Sequence, residues 1–258
     1  MFTKEELKEQ IAALGIQPTD TLLIHSSMKA VGEVEGGADT VLDAFSEYLK
    51  EGLLILPTHT WAQMNSEYNV FDVVNEPSCV GILTELFRKR PGVVRSWHPT
   101  HSVAALGKDA EEYVQGEEKC DTPCPREGCY GKLYDRRAKI LFLGCPLTRN
   151  TTIHGVEEWN NIPNRLTEGH QLLWIKTPQG ELIECPMKRH SAPVRDISQN
   201  YDKLEEPLLK RGYAAEGYIG SARSVLVDVV PMVELTSEFL QKNPDIFLDK
   251  SPIPADWY

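Results

Sequence analysis

Short apolar runs that alternate with helix-length polar stretches limit this chain to few folds. Residues 21–24, 53–56 and 139–144 are such runs, each bounded by turn-forming residues such as Gly, Pro or Asp, and they predict buried strands. Helical patterns lie between them, as in residues 38–50 and 80–90. Strands that alternate with helices are typical of a largely parallel sheet, whose ligand sites lie beyond the carboxyl ends of the strands.

Other local signals complete this prediction. Thr3 and Glu6 have the spacing of a capping box before a first helix that ends at Gly15. Residues 172–176 and 181–185 flank the turn sequence Thr177 to Gly180 and predict an antiparallel hairpin. A helix near residues 201–210, a strand at 224–228 and a helix from Pro231 follow. We expect an α/β fold with a central, mostly parallel sheet flanked by helices, an antiparallel hairpin addition, and a single domain spanning residues 1–258.

Composition excludes several classes of protein. The chain has 258 residues, 41% of them hydrophobic and 25% charged, with no apolar run near the roughly 20 residues that a membrane-spanning helix needs. Its N-terminus shows no signal peptide, so we expect a cytoplasmic protein. The net charge of -11 disfavours nucleic acid as a partner and is compatible with a cationic small molecule. A homo-oligomer is left open.

Three of the six cysteines, Cys120, Cys124 and Cys129, are clustered in the sequence. No C-x-x-C pair occurs, so the spacing does not fit a zinc ribbon or finger, and free thiols are expected in a reducing compartment. Structural zinc is the minor alternative, and we expect no metal.

The segment after residues 139–144 carries the clearest candidate for chemistry. Thr151 or Thr152 is expected to cap a helix, which places His154 in its first turn and Glu157 on the same face. A carboxylate there would hold one ring nitrogen and leave the other free to take a proton. The alternative is that Glu157 and its neighbour only complement the helix dipole.

Two further segments follow predicted strands. Residues 25–37 form a loop rich in hydroxyl groups and glycine, which could present N–H groups to phosphate, although an ordinary tight loop is an equal alternative because the P-loop spacing is absent. Residues 57–61 are the other such segment. The long irregular stretch 65–78 is predicted to face substrate.

An ordered series of motifs resembles the aminoglycoside 3-N-acetyltransferase family, the acetyl-CoA-dependent antibiotic acetyltransferases that are distinct from GCN5-like enzymes. The series spans roughly the whole chain, which makes it far more specific than any single motif. Its segments are residues 23–28 with Gly36 and Gly37, residues 56–60, Pro77 and Ser78 with Gly81, Phe87 and Arg88 with Pro91 and Gly92, Arg95 and Ser96 with His98 and Pro99, residues 102–105 with Gly107, residues 131–133 and 140–144, residues 151–154 with Glu157, and residues 220–222.

The resemblance implies acetyl transfer from acetyl-CoA, as cosubstrate, to a primary amine, above all the 3-amino group of the 2-deoxystreptamine ring of an aminoglycoside. It implies His154 as the catalytic histidine and Glu157 as the carboxylate that orients it. It also implies a set of coenzyme A contacts: His25, Ser26, Ser27, Met28, Lys29, Val31, Gly32, Val34, Arg95 and Ser102. Cys129 stands where many relatives have a Ser-Pro step, and some members of the family use another acceptor.

Alternatives remain open at this stage. Cys145 could carry the acyl group in a ping-pong mechanism. A metal-dependent amidohydrolase could use a set drawn from His25, His59, His98 and His154. A protein that binds coenzyme A or an amine without catalysis is the third. The oxyanion donors are either N–H groups at Thr151 and Thr152 or those of the serine loop.

Overall fold

The computed structural model describes residues 1–258 and contains ten strands and nine α-helices. The strands are β1 Thr21–Ser26, β2 Leu53–Pro57, β3 Val70–Asp72, β4 Val94–Arg95, β5 Val103–Gly107, β6 Lys139–Leu143, β7 Gln171–Lys176, β8 Leu182–Met187, β9 Ala214–Ile219 and β10 Ala222–Asp228. The helices are α1 Lys4–Ala13, α2 Met28–Val31, α3 Ala38–Tyr48, α4 Ile82–Phe87, α5 Ala110–Val114, α6 Cys129–Asp135, α7 Thr151–Trp159, α8 Glu205–Lys210 and α9 Val229–Lys242. Short 3-10 helices lie at Glu117–Lys119, Leu147–Arg149, Ile197–Leu204 and Ala255–Trp257.

The central sheet has seven strands in the order β4-β5-β2-β1-β6-β10-β9. Strand β1 pairs in parallel with β2 on one side and with β6 on the other, while all outer pairs are antiparallel. The predicted α/β class is confirmed, and its parallel part is confined to the three strands at the centre. The carboxyl ends of β1, β2 and β6 therefore meet at one edge of the sheet, where ligand sites of such folds lie.

Both faces of the central strands are buried, because their side chains alternate between two apolar cores. On one face, Leu23, Ile140 and Phe142 belong to a cluster of 32 buried residues that includes residues of α6, α7 and α9. On the other face, Leu22 and Leu141 belong to a cluster of 23 buried residues with α1 and α3. Helix α1 begins with the predicted capping box at Thr3 and Glu6.

The predicted hairpin forms a second, smaller sheet. Strands β7 and β8 pair antiparallel from Gln171 opposite Met187 to Lys176 opposite Leu182. The short strand β3 adds in parallel to β7, and a cluster of seven buried residues, among them Phe71 and Met187, packs beneath. The hairpin addition is confirmed, and it delivers the segment that follows Met187 to the edge of the central sheet.

Two predicted elements differ in detail. Helix α7 does begin at Thr151, but its N-cap is Asn150 and no side chain caps the helix. Thr152 is fully buried with no hydrogen-bond partner for its hydroxyl. Near residues 201–210 the chain forms a 3-10 helix that passes into α8 rather than one regular helix.

Candidate active site

A cavity of about 940 Å³ lies beyond the carboxyl ends of β1 and β6. One part of its wall comes from residues 25–29, at the end of β1 and the start of α2. Another part comes from residues 144–154, which follow β6, and a third from residues 189–198, which follow the hairpin. The cavity thus lies at the place that the order of strands and helices predicts.

Helix α7 brings His154 to the cavity, and one of its two ring nitrogens, Nδ1, is held by a hydrogen bond. The hydroxyl of Tyr201 donates to Glu157 Oε2 at 2.6 Å and lies 2.8 Å from His154 Nδ1. Because the hydroxyl has one proton, its oxygen then accepts from an Nδ1–H of His154. This assigns the ring the tautomer in which Nε2 carries a lone pair, and Nε2 makes no hydrogen bond within the chain.

Glu157 does not hold His154 directly, as the sequence led us to expect. Its Oε2 is 3.8 Å from His154 Nδ1, beyond hydrogen-bond distance, because the Tyr201 hydroxyl occupies the space between them. The other oxygen, Oε1, accepts from Arg165 Nε at 2.6 Å. Glu157 is fully buried, so this carboxylate is held by one tyrosine and one guanidinium inside the core.

Burial decides the protonation of the site. It lowers the pKa of His154 well below the usual 6.5, which leaves the ring neutral at neutral pH. The negative charge of Asp196 offsets part of this decrease. Burial raises the pKa of Glu157, and Tyr201 and Arg165 oppose the rise. A neutral imidazole with a buried hydrogen-bonded carboxylate behind it can take a proton on Nε2 and be stabilised as imidazolium.

A second histidine shapes the same wall. The rings of His154 and His190 are stacked with centroids 4.0 Å apart, and His190 Nε2 lies 3.1 Å from Glu158 Oε1. Burial lowers the pKa of His190 to about 3 and raises that of Glu158 to about 7. Near neutral pH His190 is therefore neutral and Glu158 is partly ionised, and the hydrogen-bonded pair fixes the plane against which the His154 ring packs.

The structure brings together only part of the predicted coenzyme A set. His25, Ser26, Ser27, Met28 and Lys29 line the cavity. Three further members of the predicted loop do not line it: Val31, Gly32 and Val34. Val31 and Val34 are buried in the apolar core on the α1 and α3 side of the sheet, and a positive φ of 84° at Gly32 ends α2.

Arg95 and Ser102 lie away from the cavity lining, so the structure does not bring these two predicted coenzyme A contacts together with the others. The buried Arg95 guanidinium donates to Ser102 Oγ at 3.1 Å and to the Glu76 carbonyl at 2.6 Å. It also donates to the hydroxyl and carbonyl oxygens of Thr58 and sits 4.8 Å from the ring centroid of Phe71. Its donors are used within the chain, so it joins the strand ends to the loop before α4.

The histidines and cysteines do not converge on one metal centre. His98 accepts the backbone N–H of Thr100 and His101 at Nδ1, and its Nε2 faces the Thr122 carbonyl. The histidine set predicted for a metal hydrolase supplies no group of three donor atoms close enough to hold one ion. Of the three clustered cysteines, Cys124 is the one whose sulfur lies near a carboxylate and an imidazole. Its Sγ, Glu158 Oε1 and His190 Nε2 lie within 4.8 Å of one another, the one set of three whose donor atoms could hold a metal ion.

The sequence signals missed five residues of this site: Tyr201, Arg165, Arg189, His190 and Asp196. Tyr201 is 44 positions from Glu157, and Arg165 lies in an irregular segment after α7. No pattern of spacing connects them to His154. Their roles appear only when the segment after the hairpin and the 3-10 helix that follows it pack near α7.

Residues 23–241 match the family model described as aminoglycoside 3-N-acetyltransferase, which is most of the chain. The chain belongs to the aminoglycoside 3-N-acetyltransferase family. The predicted family and the prediction of an acetyltransferase enzyme are thereby confirmed.

Individual relatives agree with this assignment. Aminoglycoside N(3)-acetyltransferase III of Salmonella is 27% identical, over 94% of this chain and 93% of that protein. The solved structure of aminoglycoside acetyltransferase AAC(3)-Xa superposes with a TM-score of 0.83 at 26% identity and covers 93% of both chains. The fold of AAC-IIIb, solved as a binary complex with CoASH, superposes with a TM-score of 0.82 at 24% identity and covers 98% of this chain and 99% of that one. None of the helices has the length and apolar character needed to cross a membrane.

Proposed function

We propose that this family member transfers the acetyl group of acetyl-CoA to a primary amine, with His154 as the general base. One observation carries the proposal. His154 lines the cavity with Nε2 unpaired, while its Nδ1 is held by Tyr201, which in turn donates to the buried Glu157. That arrangement suits a base which must accept a proton and then be stabilised as a cation.

The reaction then needs no covalent enzyme intermediate. The amine nitrogen attacks the carbonyl carbon of the thioester, the N–C bond forms, and a proton passes from the nitrogen to His154 Nε2. The C–S bond breaks, and the coenzyme A sulfur leaves with the electron pair and takes a proton. The Ser27 N–H already donates to the Leu143 carbonyl at 2.9 Å, so the helix start at Thr151 and Thr152 is the better source of donors to the oxyanion.

The loop at the end of β1 is the proposed site for acetyl-CoA. Lys29 and Arg149 line this part of the cavity, are exposed, and form no salt bridge, and Arg149 is close enough to His25 to lower the pKa of that histidine. Two free cations suit the phosphates of coenzyme A. The CoASH complex of AAC-IIIb supports the same cosubstrate for a protein of this fold.

Cys145 lines the cavity but is poorly suited to carry the acetyl group. Burial raises the pKa of its thiol to about 12, although Arg149 opposes the rise. The thiolate is the nucleophile in such chemistry, and at neutral pH almost none is present. Direct transfer in a ternary complex of enzyme, acetyl-CoA and amine is therefore the proposal, and residues 1–258 act in it as a single domain around the central sheet.

For the acceptor, the names of the curated relatives point to an aminoglycoside. The family resemblance implies the 3-amino group of its 2-deoxystreptamine ring. A second candidate is an amine that is not an aminoglycoside, and the charges along the cavity favour it. Among all the residues that line the cavity, Asp196 carries the one carboxylate. A multiply charged amine normally needs several acidic partners to offset its charge.

The test joins binding to turnover. Acetyl-CoA is expected to raise the melting temperature of the wild type and of His154→Ala alike, because a ligand that binds only the folded state stabilises it by mass action. Thiol release from acetyl-CoA with a panel of amines is expected from the wild type and not from His154→Ala. Absence of a thermal shift at millimolar acetyl-CoA would contradict the cosubstrate, and equal release by both proteins would contradict the base.

A further inference from the structure

The lining of the cavity has the opposite sign of charge to the whole chain. The chain has 38 acidic and 27 basic residues, yet the cavity is lined by one acidic residue, Asp196, and three basic ones, Lys29, Arg149 and Arg189. If Lys29 and Arg149 serve the phosphates of acetyl-CoA, Arg189 and Asp196 remain on the part of the cavity wall that follows the hairpin. The acceptor side therefore offers one positive and one negative group.

Arg189 is a cation without a counter-ion. It is half-buried, no carboxylate lies within salt-bridge distance, and burial alone lowers the pKa of its guanidinium. Its Nη1 donates to the Met64 carbonyl at 3.1 Å and to Gln171 Oε1 at 3.4 Å, and its Nη2 donates to the Trp61 carbonyl at 2.7 Å. A guanidinium has five N–H groups, so the Nε–H and one Nη2–H make no bond within the chain.

The position of this cation connects it with the proposed chemistry. Arg189 precedes His190, whose pKa it helps to lower, and the His190 ring stacks on that of His154. Asp196 lies on the same segment, lines the cavity, and is close enough to raise the pKa of His154. Its carboxylate is exposed, with Ser198 Oγ at 2.7 Å and Gln199 Nε2 at 3.0 Å as its donors.

We propose that the acceptor is an amine that also bears an anionic group, with its ammonium beside Asp196 and His154 and its carboxylate or phosphate on Arg189. This inference rests on the proposed function and names the class of acceptor for the same site. A half-buried charge that lacks a partner is costly, and an anionic ligand group would supply one. A polycationic aminoglycoside would meet one carboxylate and one opposing guanidinium, so it is expected to be a poor acceptor.

The test compares amines that differ only in the anionic group. Thiol release from acetyl-CoA is measured with β-alanine against β-alaninamide, for a carboxylate, and with phosphoethanolamine against ethanolamine, for a phosphate; gentamicin serves as the polycation. In the wild type, kcat/KM of the better anionic amine is expected to exceed that of its neutral partner by roughly 10- to 100-fold, which corresponds to a hydrogen bond to a charged group. Gentamicin is expected to rank below both.

Two substitutions of Arg189 separate its charge from its packing. Arg189→Gln is expected to abolish the preference for the anionic amine while leaving KM for acetyl-CoA unchanged. Arg189→Lys keeps the charge and is expected to keep part of the preference. It thereby tests whether the effect of Arg189→Gln comes from the lost charge or from the lost hydrogen bonds to Met64 and Trp61. Arg195→Gln removes the same charge from an exposed residue outside the cavity lining and is expected to leave the preference intact.

The possible failures are distinguishable. Equal kcat/KM within both pairs, or the highest value with gentamicin, overturns the inference and leaves the proposed function standing. A rise of KM for acetyl-CoA in Arg189→Gln, with the amine preference unchanged, assigns Arg189 to the coenzyme and also overturns it. No thiol release with any of these amines, from a protein that acetyl-CoA stabilises, overturns the proposed function and this inference with it.

Discussion

Two buried tyrosine–histidine pairs lie within this molecule, and they differ in what stands behind them. Tyr201 is 2.8 Å from His154 Nδ1, and Tyr130 is 2.6 Å from His59 Nε2. Behind Tyr201 lies the carboxylate of Glu157, whereas no carboxylate is hydrogen-bonded to Tyr130. The side chain of His154 is 18% exposed, whereas His59 as a residue is 3% exposed.

The difference shows why a histidine beside a tyrosine is not enough for a base. Protonation of His154 is offset by Glu157 through one shared hydroxyl, while protonation of His59 would bury a cation next to His101, whose ring centroid is 4.7 Å away. His154 also meets its tyrosine at Nδ1 and has Nε2 left for a substrate. His59 uses Nε2 for the tyrosine. Both histidines line the cavity, but the first pair is suited to catalysis and the second to holding the cavity wall.

The largest effect is expected from removing the two histidines in turn. His154→Ala should lower turnover by about 10²- to 10⁴-fold, or about 3–5 kcal/mol, because the base itself is lost. His59→Ala should instead lower the melting temperature, because a buried side chain is truncated. The folded fraction should keep turnover within about tenfold, because His59 lines the cavity but uses its Nε2 for Tyr130 and has no carboxylate behind that tyrosine. Steady-state rates with melting curves of both variants provide the measurement; a larger turnover loss in His59→Ala would reverse the comparison.

Removing one hydroxyl from each pair gives a smaller and sharper contrast. Tyr201→Phe should lower kcat by roughly 10- to 100-fold, the size of a hydrogen bond to a charged group, because Glu157 no longer acts on His154. Tyr130→Phe is the matched control, since it also removes a buried hydroxyl that faces a histidine, and it should change kcat by less than about threefold. KM for acetyl-CoA should move in neither.

A double substitution tests whether Glu157 acts through Tyr201. In the Tyr201→Phe background, Glu157→Gln should add little further loss of kcat, because members of one relay are not additive. It should still lower the melting temperature, because the buried ion pair with Arg165 is broken. Losses of kcat that multiply would show that the carboxylate reaches the base by another route.

Both histidines should make the stability of the protein fall at low pH, whereas the rate should not follow the ordinary pKa of a histidine. Burial lowers the pKa of His154 and His59 well below 6.5, so the unfolded chain binds protons first as the pH falls below that value, and folding loses stability. Each such histidine contributes up to about 1.36 kcal/mol per pH unit. We expect the melting temperature to fall below about pH 6.5 and kcat at saturating substrates to hold until the protein unfolds. A loss of kcat centred near the ordinary pKa, in folded protein, would contradict the buried neutral base.

The smallest effect is expected at Cys145, which lines the same cavity without belonging to either pair. Cys145→Ser should retain most of the activity, because direct transfer forms no acyl-enzyme and the thiol is protonated at neutral pH. Intact mass measured during turnover provides the check. An acetyl adduct on Cys145 together with a matching loss of rate would replace the direct mechanism by a ping-pong one.

Local patterns in the sequence predicted the parts of the protein that contiguous residues build. The apolar run at residues 139–144 became strand β6, the hairpin formed around its turn, and His154 lies in the first turn of a helix after β6. The capping box at Thr3 and Glu6 also formed as predicted. Each of these depends on neighbours a few positions apart, whose spacing alone decides which side chains share a face.

Only the tertiary structure decided what surrounds His154. Helical spacing had suggested a direct contact between His154 and Glu157. Instead Tyr201, which lies 47 positions from His154, comes between the two side chains. Arg95 was expected beside the coenzyme, but its guanidinium is consumed by loop carbonyls inside the protein. Spacing fixes which way a side chain leaves its own helix or strand, but not which distant segment fills the space in front of it. That second choice depends on how the sheet, the hairpin and the 3-10 helix pack, and here it determined both the relay behind His154 and the charge of the cavity.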